Sequence, residues 1–148
     1  MNAGSELPTQ RREDAKNAKE DTADQINRVS AAVVDAALEV HRVFGAGLLE
    51  SAYCAALEIE LKSRAYLVRR ECEVPCIYKG QPLGLAFRMD MLIGECVVVE
   101  VKAVQELLPV HHSQLLTYLR LSGHRLGLLI NFNVPLLKGS IKRVVNRL

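Results

Sequence analysis

A nearly continuous apolar run at residues 96–101, Cys-Val-Val-Val-Glu-Val, constrains the fold more than any other segment of this chain. A strand that is solvated on one face alternates apolar and polar residues, whereas a strand covered on both faces is apolar almost throughout. The run therefore predicts a central strand with structure packed on both sides. Residues 71–78 and 85–92 precede it as two further predicted strands, with turns at Lys79-Gly80 and Gly94-Glu95. Together these segments predict a three-stranded meander.

Segments with helical spacing lie on both sides of this meander. Apolar residues recur at helical spacing in residues 24–44 and 48–64, which predicts two amphipathic helices. A third helix is predicted at 107–121, a fourth strand at 125–132 and an optional edge strand at 140–145. The helical crossover after the central strand allows the fourth strand to lie parallel to it. The predicted fold class is therefore α/β (α+β mixed), in the order α-α-β-β-β-α-β, with a mixed central sheet flanked by helices.

The length of 148 residues suits one ordinary domain with a buried core. Residues 1–24 are charged and lack apolar periodicity, so we expect a flexible arm there and a single domain at 25–148. No apolar run approaches the ~20 residues that cross a bilayer, and the polar N-terminus has no secretory pattern. The expected location is therefore the cytoplasm, without a membrane partner. The four cysteines show neither CxxC nor zinc-like spacing and are expected to be free thiols.

Charge is distributed unevenly along the chain, although the net charge is only +2. Residues 101–148 contain seven of the 19 lysines and arginines, and Glu106 is their only acidic residue. A basic region of this kind can be the electrostatic footprint of a polyanion. An ordinary solvated surface explains the same pattern equally well, so charge alone leaves both interpretations open.

Asp90 and the triplet Glu100-Val101-Lys102 are the candidate catalytic and metal-binding residues. On a strand, Glu100 and Lys102 emerge on the same face, and the turn at Gly94 folds the Asp90 strand back beside them. Two carboxylates and the Val101 carbonyl would supply the oxygen ligands that Mg²⁺ prefers, and Lys102 would offset charge that develops on a phosphate. Position alone leaves a second interpretation open, in which Lys102 forms a structural salt bridge at the end of the sheet.

The acid-x-lysine pattern occurs three times, as Asp14-Ala-Lys16, Glu60-Leu-Lys62 and Glu100-Val-Lys102. The first occurrence lies in the charged arm. The second lies on a predicted helix, where residues two apart do not share a face. The third ends a buried strand, where a charge is costly unless it has a partner. The third occurrence is therefore the candidate site.

Motifs outside these strands make the pattern specific. Gly47-Leu-Leu-Glu50-Ser-Ala-Tyr53 resembles the signature of the GxxExxY protein family, a branch of the PD-(D/E)XK nuclease superfamily. The resemblance covers about residues 26–145 and includes Tyr78-Lys79-Gly80, Asp90, the 99–104 segment Val-Glu-Val-Lys-Ala-Val, His111, the 114–119 segment Gln-Leu-Leu-Thr-Tyr-Leu and the 127–132 segment Gly-Leu-Leu-Ile-Asn-Phe. It implies a restriction-endonuclease-like core and metal-dependent cleavage of nucleic acid. Met89 stands where the superfamily name has proline, but that proline is not a metal ligand.

The resemblance also implies roles for individual residues. Asp90 and Glu100 resemble the metal-binding carboxylates, and Lys102 resembles the catalytic lysine. Glu50 resembles the additional acid that many superfamily members carry on the first core helix, where it contacts metal or water. A glutamate in a first helical turn also stabilises the helix dipole, which leaves a structural interpretation of Glu50 open. Tyr53 is expected to support the site by packing or hydrogen bonding.

The segment Gln114-Leu-Leu-Thr-Tyr118 is similar to the glutamine–tyrosine motif of RecB-type nucleases. The similarity implies that Gln114 serves the catalytic site and that Tyr118 helps to hold the substrate. On a helix, His111, Gln114 and Tyr118 form one polar stripe opposite the leucines, and a solvated helix face is the alternative interpretation. The expected nucleic-acid contacts are His111, Tyr118, Lys138, Lys142 and Arg143, of which the last three would bind the phosphate backbone.

Function hypotheses of three classes follow. The first is a Mg²⁺-dependent nuclease, with Mn²⁺ as an alternative ion, that cleaves nucleic acid, with DNA favoured and ends or single strands as its target. The alternative is a catalytically silent module of the same fold that binds nucleic acid or a protein partner. A metal-binding structural or regulatory protein would use softer ligands, which the Cys and His placement does not offer. A homodimer is compatible with a small nuclease, but no segment identifies an interface.

Overall fold

The computed structural model describes the backbone of residues 7–147 and the side chains of residues 7–16 and 22–147. Within this part of the chain the elements are α1 (Pro8–Phe44), α2 (Glu50–Ser63), β1 (Val68–Tyr78), β2 (Gln81–Ile93), β3 (Val97–Lys102), α3 (Pro109–Ser122), β4 (Leu126–Asn131) and β5 (Ile141–Val145). The predicted element order is confirmed, and the optional last strand is present.

The described strands form a five-stranded sheet in the order β1-β2-β3-β4-β5. β3 and β4 run parallel, with Val97 opposite Leu126 and Lys102 opposite Asn131. The other neighbouring pairs are antiparallel. Because α3 makes the crossover from β3 to β4, the parallel pair arises as predicted and the sheet is mixed.

Helices cover both faces of the sheet, as the apolar run of β3 predicts. The odd-numbered valines of β3 pack with α1 and α2, whereas Val98 packs with Leu115 and Leu119 of α3. The side chains of one strand therefore contribute to two separate cores. By the same alternation, Glu100 and Lys102 lie on the α3 face of the sheet.

α1 begins at Pro8, well before the apolar periodicity that starts near Asp24. Proline suits a first helical turn because its missing N–H would have no partner there. The side chains from Pro8 to Lys16 are exposed, so this part of the helix contributes to neither core. Periodicity reports burial rather than helical backbone, and it therefore indicates only the packed part of α1. The flexibility expected for 1–24 stays a prediction, and residues 1–6 lie outside the described part.

β1 and β2 form a longer hairpin than the sequence predicts. β1 starts at Val68 rather than residue 71, and β2 starts at Gln81 rather than residue 85. Tyr78 pairs with Gln81 across the two-residue turn Lys79-Gly80, whose φ angles of 49° and 76° suit a tight hairpin. The extra strand residues at the turn are exposed, so they carry no apolar alternation that a sequence pattern could detect.

Two further sequence predictions concern features outside the sheet pairing. All four cysteines are free thiols, as predicted: Cys54 is buried, and the other three are partly exposed. In the described range 7–147, no helix is both long and apolar enough to cross a bilayer.

Candidate active site

The ladder between β2 and β3 ends beside Asp90. Regular pairing joins residues 91–93 of β2 to residues 97–99 of β3. One position further, the Asp90 amide donates to Glu100 Oε1 (3.0 Å), and the Val101 amide donates to Asp90 Oδ2 (2.8 Å). Side-chain carboxylates therefore take the place of the carbonyl acceptors that a continued ladder would use.

The alternation of side chains between the two faces of the sheet is also interrupted in β2 at this point. Met89 packs on the α3 side of the sheet, whereas Met91 packs on the α1–α2 side. Residues two apart on a regular strand would share a face. The break in alternation falls on Asp90, whose carboxylate accepts from the backbone of β3. The two-residue period of the sequence cannot reveal such a break.

Asp90 and Glu100 form a close carboxyl pair, because the Glu100 carboxylate accepts from the Asp90 amide and the Asp90 carboxylate accepts from the amide of the residue after Glu100. Glu100 is 4% exposed, and its burial, followed by the charge of Asp90, raises the pKa of Glu100 to about 8. Burial also raises the pKa of Asp90, while the Val101 amide and the charge of Lys102 oppose that rise. The pair therefore retains a proton at pH values where isolated carboxyl groups are ionised.

Lys102 ends β3 on the same face as Glu100 and is partly buried. Its charge lowers the pKa of both carboxyl groups, although burial outweighs that effect. The Lys102 side chain also lines an open groove along the first turns of α3, together with His111 and Gln114. Lys102 thus connects the acid pair with a groove that solvent can reach.

α3 brings Tyr118 to the acid pair, but not as part of a solvated stripe. Tyr118 is 6% exposed and packs in the core between α3 and the sheet. Burial, followed by the charges of Glu100 and Asp90, raises the pKa of Tyr118, and the nearby Gln114 side chain acts in the opposite direction. The prediction of a polar stripe opposite the leucines is wrong at Tyr118, because a tyrosine ring can be buried while its hydroxyl keeps a polar partner.

His111 stabilises the start of α3. Its Nδ1 accepts a hydrogen bond from the Leu108 amide (3.0 Å), which leaves the proton of a neutral imidazole on Nε2. The ring is partly buried and lines the groove that contains Lys102. His112 is exposed. The contact of His111 with a substrate phosphate stays a prediction.

Glu50 is the first residue of α2, and the fold places it at the end of β3. Its Oε1 accepts a hydrogen bond from the amide of Ala103, the residue after Lys102 (3.2 Å). Its negative charge also contributes to the raised pKa of Asp90. The structure therefore brings Glu50 to the edge that carries the acid pair, with its carboxylate bound to the backbone there.

Tyr53, one turn after Glu50, fixes the start of α2. Its ring is fully buried and stacks on Phe132, with 4.5 Å between the ring centroids. Its hydroxyl donates to the Gly45 carbonyl (2.5 Å) and accepts from the Leu48 amide (3.2 Å). These contacts tie the loop between α1 and α2 to the sheet, so Tyr53 helps to set the position of Glu50.

Asn131 is a residue of this edge to which the sequence interpretation gives no catalytic or binding role, only a structural one at the end of β4. It is 2% exposed and lies opposite Lys102 in the parallel ladder. Its side chain clamps Val104: Oδ1 accepts from the Val104 amide (3.0 Å), and Nδ2 donates to the Val104 carbonyl (2.9 Å). A polar residue at the end of an apolar strand is the signal that points to Asn131, because buried polar groups need partners.

Two of the predicted phosphate-binding residues lie on the α1 side of the sheet. The Arg143 guanidinium donates to Asn27 Oδ1 (3.0 Å) and to Ser30 Oγ (3.3 Å) of α1. Lys138 lines a groove beside α1 that also includes Arg143. The structure therefore does not bring Lys138 or Arg143 together with Glu100.

Lys142 lies on the opposite side of the sheet from its neighbour in sequence. It pairs with Leu129, which in turn pairs with Glu100, so all three lie on the α3 face. Lys142 is exposed, and its ammonium donates to the Gly139 carbonyl (3.1 Å). Of the three basic residues, Lys142 is the one that shares a face with the acid pair.

The donor chemistry of this edge fits a hard divalent cation. Among the described side chains, those of residues 7–16 and 22–147, no group of three or more Asp, Glu, His or Cys is arranged to hold a metal ion. Mg²⁺, however, is commonly held by one or two carboxylates together with substrate phosphates. The Val101 N–H points to Asp90, and because the N–H and C=O of one strand residue point to the same side, its carbonyl faces Asp90 as well. Asp90, Glu100 and Val101 therefore present only oxygen donors.

A comparison with protein-family models identifies the class of this protein. Residues 27–144 match a model described as the PD-(D/E)XK nuclease superfamily. The match extends from the packed part of α1 to β5 and includes the whole acid edge, so the chain belongs to the PD-(D/E)XK nuclease superfamily. This membership suggests nuclease activity, and divalent metal ions are typical of the superfamily. Searches of curated proteins and of solved structures found no match.

Proposed function

We propose that this protein is a Mg²⁺-dependent nuclease that hydrolyses phosphodiester bonds of DNA at the edge formed by β2, β3 and α3. One observation carries the proposal: the buried carboxyl group of Glu100 and the partly buried carboxyl group of Asp90 lie side by side, next to Lys102 at the end of β3. Burial strengthens the repulsion between the two negative charges, so a divalent cation is favoured there. A structural salt bridge to Lys102 would not need the second carboxyl group.

Some residues of the edge bind the metal ion, and others contact the substrate. Asp90 and Glu100 hold the ion, with the Val101 carbonyl as a further oxygen ligand. Glu50 stands next to this set as the additional acid. When bound, Mg²⁺, or Mn²⁺ in its place, lowers the pKa of water and compensates charge on the phosphate oxygens.

Lys102 acts on the phosphate rather than on the ion. Its ammonium group neutralises the charge that develops on the phosphate oxygens during hydrolysis. Gln114, which lines the same groove, orients the substrate. His111 contacts a phosphate further along the groove.

The basic residues of the C-terminal third extend the contact with the phosphate backbone. Lys142 shares the face of the acid pair and is the nearest in the sheet register. Contacts with Lys138 and Arg143 require a substrate that passes around the edge strand β5. Such contacts strengthen binding without sequence preference.

Cleavage of labelled single-stranded and double-stranded DNA and RNA, with Mg²⁺, Mn²⁺ or EDTA, tests this proposal. We expect DNA to be cut with either ion and not in EDTA. Lys102→Ala should lower the cleavage rate by a factor on the order of 10²–10³, the usual cost of one transition-state partner. Its fold and most of its affinity for DNA should be retained.

Lys62→Ala is the matched control, because Lys62 ends the same acid-x-lysine pattern on α2 and pairs with Glu58 there (3.5 Å). This variant should cut at the wild-type rate. Equal cutting by wild type and Lys102→Ala would show that the site is wrongly assigned. If the folded protein bound nucleic acid but cut no substrate with either ion, the silent binding module would replace the nuclease.

A further inference from the structure

The outer half of the β1–β2 hairpin projects beyond the rest of the sheet. β2 pairs with β3 only at residues 91–93, so residues 81–89 have β1 as their sheet partner. Extension of the same register brings Arg88 level with Lys102, and Gln81 lies seven residues further out. At about 3.3 Å per residue, the tip of the hairpin reaches roughly 20 Å beyond Lys102.

The hairpin projects from the edge of the sheet that carries the acid pair. β2 runs antiparallel to β3, so its first residues extend past the end of β3 where Glu100 and Lys102 stand. The base of the hairpin is anchored at the same place, since the Phe87 ring contacts the Tyr118 ring at 5.5 Å between centroids. A strand of nucleic acid that binds at Lys102 and continues along this edge would therefore contact the hairpin.

The tip combines exposed apolar side chains with positive charge. Tyr78 is 60% exposed, and Ile77, Leu83 and Leu85 are each at least half exposed. Residues 75–86 contain Lys79 and no acidic side chain. Lys79 Nζ lies 5.4 Å from the centre of the Tyr78 ring. An exposed aromatic ring beside a cation is the combination that binds unpaired nucleotides, through base stacking and phosphate contact.

Building on the proposed nuclease function, we propose that the hairpin tip binds unpaired nucleotides next to the cleavage site, with Tyr78 stacking on a base and Lys79 contacting the phosphate backbone. The preferred substrate class is then a single strand, or a duplex with an overhang or fork. In a blunt duplex the bases are already stacked on each other, so the Tyr78 ring finds no free base.

The charge and geometry of the tip favour nucleic acid over a second copy of the chain. The charged residue of the tip is a lysine, which favours a polyanion. The tip also extends from the edge of the sheet where the proposed cleavage site lies. Strand pairing between two copies is opposed by Pro75, which lies exposed on the free edge strand β1 and cannot donate a ladder hydrogen bond.

Fluorescence anisotropy with labelled DNA tests the proposal, with Glu100→Gln as the parent so that bound DNA is not cut. Tyr78→Ala should lower the affinity for single-stranded and forked DNA at least fivefold, equivalent to about 1 kcal/mol, the lower end for one base stacked on an aromatic ring. Affinity for blunt duplex should change less than twofold. Tyr78→Phe should bind like the parent, since the ring remains.

Ile59→Ala is the control, because Ile59 is 70% exposed on α2 and lies outside the hairpin. Unchanged single-strand affinity in Tyr78→Ala, with wild type still cutting DNA, would overturn the hairpin contact and leave the nuclease proposal intact. A shift from dimer to monomer in Tyr78→Ala by light scattering, without loss of affinity, would make the tip an interface between copies instead. A parent that binds no nucleic acid at all would overturn both proposals.

Discussion

Two tripeptides of this chain share the same residue pattern and have different surroundings. Glu60-Leu-Lys62 lies on α2, where Glu60 pairs with Arg64 (3.1 Å) and Lys62 pairs with Glu58 (3.5 Å). In Glu100-Val-Lys102, at the end of β3, both charged side chains lie on one face, beside Asp90. Residues two apart point in different directions on a helix and in the same direction on a strand.

Backbone geometry, rather than residue identity, therefore makes only one of the two patterns a candidate site. On α2, each charge has its own partner one turn away, and the ion pairs are partly exposed, which makes each worth little. At the end of β3, Glu100 is buried, Asp90 and Lys102 are partly buried, and the three charges act on one another. Competing charges in a buried place are typical of functional sites.

Removal of the acidic residue should separate the two patterns most strongly. Glu100→Gln should lower the rate of DNA cleavage by a factor on the order of a thousand or more, since it removes charge from the metal set at the reacting centre. Glu60→Gln should leave the rate unchanged. Single-turnover cleavage assays at saturating Mg²⁺ measure both rates, and a similar rate loss in the two variants would contradict the contrast between helix and strand.

The raised pKa of Glu100 predicts a pH-dependent stability. Its pKa rises from 4.5 to about 8 in the folded protein, so between these values the folded state holds a proton that the unfolded state releases. The contribution of Glu100 to stability is fully present below about pH 4.5 and is lost as the pH rises through about 8. Each unit of pKa difference corresponds to about 1.4 kcal/mol, so a shift of even one unit is measurable.

Thermal unfolding in EDTA from acid to mildly alkaline pH tests this dependence. The loss of stability over that range should be smaller in Glu100→Gln than in wild type. Glu60→Gln is the control for the loss of one negative charge. Addition of Mg²⁺ should restore stability to wild type at the alkaline end and have less effect on Glu100→Gln. Parallel unfolding profiles for wild type and Glu100→Gln would contradict the prediction.

The clamp that holds the end of β3 in place should have an intermediate effect. Asn131→Ala removes side-chain bonds to Val104, which follows Lys102 by two residues, and should cost about 1–3 kcal/mol of stability for the buried groups left unpaired. It should also lower kcat about tenfold because Lys102 loses its fixed position, with little change in KM.

Asn146→Ala provides the matched comparison for the clamp. Asn146 is also buried, and its side chain donates to the His124 carbonyl (3.1 Å), away from the acid edge. This variant should lose stability and keep its kcat. Denaturant unfolding and steady-state kinetics on both variants separate the two effects, and equal kcat values for Asn131→Ala and wild type would remove Asn131 from the positioning residues.

The smallest expected effect concerns two neighbouring basic residues. Lys142→Glu should weaken DNA binding several-fold and flatten its salt dependence, because it lies on the face of the acid pair. Arg143→Glu should have a smaller effect on binding, since Arg143 points to Asn27 and Ser30. Binding titrations at several salt concentrations measure the difference. A larger loss for Arg143→Glu would show that DNA passes around β5.

The order of the elements and the residues of the acid edge can be inferred from the sequence alone. The valine run of β3 requires cover on both faces, and a strand places Glu100 and Lys102 on one side; both inferences depend only on local backbone geometry. The family motifs added Glu50 and Gln114, which the structure places at the same edge. These features are encoded within short segments, and each segment can therefore be interpreted without its neighbours.

The contacts between distant segments follow from tertiary packing and cannot be inferred from the sequence. The break in β2 at Asp90, the burial of Tyr118, the clamp by Asn131 and the opposite directions of Lys142 and Arg143 all depend on the register between strands and on the packing of helices. Periodicity records that a side chain is buried, but it does not record which partner buries it. The hydrogen bonds and charge interactions that shape this site join residues far apart in sequence, so no local pattern contains them.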